Sequence, residues 1–76
     1  MARQKTSDGK FLRLRQLRRS RDMTQAELGQ RVQLKASTIH AIEWGLSRPS
    51  FDKGLEIAAV FGLPVEEVFS YVEVPA

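Results

Sequence analysis

Between residues 11 and 69 the apolar side chains recur every three or four positions, the period of helices that each bury one face. Phe11, Leu14 and Leu17 stand three apart with arginines between them, which predicts a first helix from Phe11 to near Arg21. Asp22 and Met23 then form a connection. In "TQAEL", Thr24 precedes Glu27 by three positions, the spacing of a capping box in which each side chain satisfies a free backbone N–H. Leu28 and Val32, four apart, face the core of that second helix. Gln33 and Leu34 interrupt the pattern, and a third helix over 35–43 resumes it with Ile39 and Ile42. Ser50 is placed to cap a fourth helix, 51–61, whose Phe51, Leu55, Ala58 and Phe61 repeat at helical intervals before Gly62 ends it. Pro64 opens a short fifth helix, 64–69, and the period then changes: Tyr71, Val72 and Val74 favour a strand that Pro75 stops.

The interruptions carry information of their own. Two helices of eight or nine residues joined by so short a turn cannot lie antiparallel, and read as a helix-turn-helix unit. Gly29 is a poor helix former unless another backbone comes close, as at a tight helix crossing. Gly45 suits the left-handed residue after a helix. A lone terminal strand is a liability without a partner, which points to a dimer. The expected architecture is all-α, five short helices with a short C-terminal β-strand, around Phe11, Leu14, Leu17, Leu28, Val32, Ile39, Ile42, Phe51, Leu55, Ala58, Phe61, Val65, Val68 and Phe69. Three segments are expected: a flexible basic arm over 1–9, the helix-turn-helix domain over 10–69, and a strand or tail over 70–76 that serves as a dimer contact.

Composition sharpens the picture. The net charge of +3 conceals a gradient. Residues 1–21 hold eight cations against Asp8 alone, residues 22–53 balance at zero, and residues 54–76 carry four glutamates and no cation. A basic end suits a polyanion. Seventy-six residues make one domain. With no cysteine and one histidine there is no disulfide framework and no credible metal site. No Gly-rich phosphate loop or clustered carboxylates suggest an enzyme, so no catalytic residues, cofactor or small-molecule substrate are expected. The apolar runs fall far below the roughly 20 residues that span a bilayer, so a soluble, cytoplasmic chain with no membrane partner is expected.

"LRQLRRSRDMTQAELGQRV", "STIHAIEWGLSRPSF" and "LEIAAVFGLPVEEVF" together resemble the helix-turn-helix domain of phage repressor and Cro proteins, the phage repressor-like (XRE) family of small regulators, over about residues 11–72. The resemblance implies a lambda-repressor-like fold, binding to double-stranded DNA with a palindromic operator, and a homodimer. The competing reading is a protein-interaction module of the same fold, an antitoxin or adaptor.

Position by position, the resemblance implies an ion pair between Arg18 and Glu43 that joins the first and third helices. It implies that Lys35, Ala36, Ser37 and Ala41 read bases, with His40 beside them on the exposed face. Backbone phosphates would be met by Gln25, Thr38, Trp44, Arg48 and Arg13, with Lys53, Arg3, Lys5 and Lys10 as further candidates. Trp44 stands where a polar residue is common; either its indole N–H bonds a phosphate oxygen or its ring packs on Leu46 or the fourth helix. Gln33 replaces the usual turn glycine and Lys35 the usual Ser or Thr cap, so a strained turn and a weak helix start are expected. Dimer contacts fall to Val68, Phe69, Tyr71, Val72 and Val74. The small residues on the third helix suit close approach to base edges in the major groove, with part of the specificity left to DNA shape.

Overall fold

The computed structural model describes residues 10–73. In chain order the elements are β1 (Lys10–Leu12), α1 (Arg13–Ser20), α2 (Gln25–Val32), α3 (Ala36–Glu43), α4 (Phe51–Phe61), α5 (Val65–Val68) and β2 (Tyr71–Glu73). All five expected helices form, so the mostly helical class holds. Arg3, Lys5 and Val74, with the rest of the proposed arm and the end of the tail, lie outside the described residues.

The first correction is at the chain's start. Phe11 does not open a helix: it lies in β1, antiparallel to β2, with Phe11 opposite Val72 and Leu12 opposite Tyr71. The Arg13 N–H extends the pairing to the Ser70 carbonyl at 2.8 Å. Three residues are too few to show strand alternation, and the spacing of Phe11 to Leu14 matched a helix by coincidence. The second correction follows. β2 is not a lone strand, because β1 of the same chain satisfies it, and the case for a dimer can no longer rest on its being unpaired.

The core gathers Leu12, Leu14, Met23, Leu28, Val32, Ile39, Ile42, Ile57, Ala58, Phe61 and Val68, with Leu17, Leu34, Val65 and Phe69 packed partly against it. In α4 Ala58 and Phe61 are buried as expected, but the first half of the expected stripe is not. Phe51 is 80% exposed and Leu55 45% exposed, whereas Gly54, Ile57, Ala58 and Phe61 face inward. At 3.6 residues per turn Leu55 lies about 110° from the centre of that stripe. Phe69 lies beside Gly54, where a Cβ would sit in ordinary contact 3.9 Å from that ring. Val68 is wholly buried in the chain's own interior and so is removed from the candidate dimer contacts.

The α2–α3 turn shows how the helix-turn-helix angle is set. Gln33 adopts φ 60°, ψ 46°, the left-handed conformation usually left to glycine, and its N–H caps the Gly29 carbonyl. The Leu34 N–H joins it there at 2.8 Å. This brings the Leu34 carbonyl onto Gly29, where any Cβ would collide with it. The close approach expected at Gly29 is therefore made by the turn that folds back over α2, not by a crossing helix.

Candidate nucleic-acid interface

The Thr24 hydroxyl accepts from the Glu27 N–H at 3.0 Å, and the Glu27 carboxylate accepts from the Thr24 N–H at 2.8 Å. This reciprocal cap fixes where α2 begins and puts Gln25 at its first position. The Gln25 amide donates to Glu43 Oε1 at 3.1 Å and lies 3.4 Å from His40 Nδ1. The side chain assigned to phosphate is thus tied to α3, which leaves the N-terminal backbone of α2 as the more available donor toward an anion.

Glu43, the last residue of α3, is fully buried. Arg18 grips it with two donors, Nε to Oε2 at 2.6 Å and Nη2 to Oε1 at 3.3 Å, while Nη1 reaches the Met23 carbonyl at 2.6 Å. A buried carboxylate survives only when its lone pairs are met this way. The result is that α1, the α1–α2 connection, α2 and the end of α3 are held by one polar cluster.

That clamp turns the rest of α3 outward. Ile39, Ile42 and Glu43 are buried, Ser37 and His40 are exposed, and Ala36, Thr38, Ala41 and Trp44 are half-exposed. Lys35 stands exposed at the N-cap, where its side chain makes no capping hydrogen bond. After the helix, Gly45 takes φ 74°. That conformation favours glycine, and a Cβ there would also make the Tyr71 hydroxyl, 2.6 Å away, swing aside. Arg48 is exposed in the following loop, and Arg13 is exposed at the start of α1.

The cations divide into two groups. Lys53, a phosphate candidate, instead donates to the Val32 carbonyl at 2.6 Å and pairs with Glu56 at 3.3 Å, so it closes the C-terminus of α2. Arg21 donates to the Val60 and Phe61 carbonyls at 3.0 and 3.1 Å and lies over the Phe61 ring, closing α4. With Arg18, these three hold the fold. Trp44 has a ring partner that neither alternative named: it meets Phe11 of β1 edge-on, centroids 5.5 Å apart. Arg15 lies over both rings, 5.1 Å from that of Phe11 and 5.2 Å from that of Trp44. The sequence carried no signal for this group, because Trp44 and Arg15 are brought together only by the tertiary fold.

Residues 12–69 match the family model described as a helix-turn-helix domain. An uncharacterised HTH-type transcriptional regulator of Archaeoglobus fulgidus is 36% identical over 61 residues, 80% of this chain and 86% of that protein. One from Methanocaldococcus jannaschii is 34% identical over 59 residues, 78% of this chain and 89% of its own length. Together with an α3 whose outer face is open and whose inner face is locked to α1 and α2, these matches show that the chain belongs to the helix-turn-helix domain family of DNA-binding regulators.

Proposed function

We propose that the chain is a homodimeric, cytoplasmic repressor that lays α3 of each subunit in the major groove of a palindromic operator and blocks promoter access. The observation that carries this reading is the sidedness of α3: Ser37 and His40 face solvent while Ile39, Ile42 and Glu43 are sealed inside. Lys35, Ser37 and His40 supply polar groups for base edges, and Ala36 and Ala41 offer small surfaces for thymine methyls. Thr38, Arg48, Arg13 and Trp44 flank them as phosphate contacts, and Gln25 contributes through the N-terminus of α2. No described helix is long and apolar enough to cross a membrane.

The dimer now rests on a different surface. Among the described residues, Leu46, Phe51, Leu55 and Tyr71 are the large apolar side chains left exposed, and Phe69 and Val72 are half-buried beside them at the end of α5 and in β2. A second copy of the chain is the occupant that also satisfies two-fold operator geometry, with recognition helices about 34 Å apart. Selection of bound duplexes from a random pool tests the whole reading. The expected result is an inverted repeat with half-sites one helical turn apart. Recovery of no enriched sequence refutes the operator, and enrichment of single half-sites refutes the dimer.

A further inference from the structure

Resting on that interface reading, the geometry points to Arg15 of α1 as an additional backbone-phosphate contact, held in place by the rings of Phe11 and Trp44. Arg18 and Arg21 give their N–H groups to a carboxylate and to chain carbonyls. Arg15 is half-buried and donates to no described residue, although its guanidinium lies about 5 Å from two aromatic centroids. Rings attract a guanidinium through its charge, yet they do not consume the five in-plane N–H donors. What remains is a cation with restricted motion and unused donors, the state in which a planar fork binds phosphate at little ordering cost.

Position selects which anion. Trp44 is the residue immediately after α3, and its ring lies 6.5 Å from that of His40, on the exposed side of the helix. Arg15 therefore borders the face assigned to the groove. A major groove about 12 Å wide is walled by phosphates, and a group beside a helix that enters the groove meets the wall, not the floor. Arg15 should consequently strengthen binding to every sequence alike. The same stack joins β1, and with it the start of the described chain, to the end of α3.

The test compares the full chain with R15M and R15K on a selected operator duplex and on an unrelated duplex across a salt series. Met preserves an apolar stem against the rings without the charge; Lys preserves the charge without the planar fork. R15M should bind both duplexes roughly ten-fold more weakly, the size of a lost charge-assisted hydrogen bond. Its log–log salt slope should fall by about 0.9 per subunit. R15K should keep the slope and lose part of the affinity. Trp44, the single tryptophan, reports on the intact stack through its fluorescence. A parent that binds with a salt slope, beside an R15M of undiminished slope, overturns Arg15 alone. A parent whose binding ignores salt overturns the interface reading and this inference together.

Discussion

Removing Arg18 while leaving Glu43 in place probes the clamp that orients α3. The Glu43 carboxylate has no solvent exposure and the Arg18 side chain only 11%. Arg18→Met deletes both donors at 2.6 and 3.3 Å and leaves the Gln25 amide as the partner of a buried negative charge. Breaking one side of such a pair costs about 3–5 kcal/mol. A 76-residue domain has about 4–11 kcal/mol in total, so the variant should sit near the edge of folding at room temperature. Glu43→Leu alone strands the Arg18 guanidinium and should cost about as much. The double variant R18M/E43L has no unpaired charge to hide, and the Met23 carbonyl at the turn can take water instead. Its cost should therefore fall below that of either single change, giving a coupling energy of at least about 3 kcal/mol. Urea unfolding followed by circular dichroism measures all four proteins, with an unchanged m-value confirming that the same cooperative unit melts. Single costs under about 1 kcal/mol with coupling under about 0.5 kcal/mol, as found for solvent-exposed pairs, would refute the clamp.

Other changes separate turn geometry, capping and assembly. Gln33→Gly relieves a left-handed residue worth about 1–2 kcal/mol of strain, partly offset by the freer unfolded chain; a net gain of about 0.5–1 kcal/mol should raise the melting midpoint by several degrees. Gly29→Ala, favourable in an ordinary helix, should instead destabilise by about 1–3 kcal/mol because its Cβ meets the Leu34 carbonyl; a stabilised variant would contradict the folded-back turn. Lys35→Ser should split two properties, adding about 1 kcal/mol of stability through a new cap while weakening operator binding in a gel-shift titration. Phe51→Ser, at an 80% exposed position, should leave the monomer's helical signal unchanged and shift sedimentation toward monomer; an unaltered dimer would move the interface elsewhere.

The helix-turn-helix core was legible because its punctuation is local. Thr24 with Glu27, Gly45, Ser50 and Gly62 each act within one turn of their own position, and each sits in the structure as its residue type implies. The inside of α3 was equally plain, since Ile39 and Ile42 leave one face for water. Elsewhere two patterns were compatible with the same residues. Phe51, Leu55 and Ala58 form a respectable helical stripe, yet the buried face runs through Gly54, Ile57, Ala58 and Phe61, with Phe69 beside Gly54. β1 was hidden by its length, and its pairing with β2 joins residues some sixty positions apart. Met23, read as connector, is buried because the α1–α2 connection turns inward where Arg18 holds its carbonyl.

The charge gradient needs the same correction as the core. Taken as a sum, the basic first third of the chain suggests a broad polyanion grip. Yet Arg18 and Arg21 are turned to carboxylate and carbonyl oxygens within the domain, and Lys53 closes a helix end. Among the described residues, Arg13, Arg15, Lys35 and Arg48 are cations that border the two ends of α3 and the start of α1, while Arg19 and Arg31 are exposed elsewhere on α1 and α2. A grip of that kind is narrow. In the proposed reading it positions one short helix against a duplex without covering much of it, and two copies acting together add their contacts. A second subunit thus doubles this narrow set of contacts independently of any strand edge, and in the same reading the exposed Phe51 and Tyr71 tie assembly to the same act of binding.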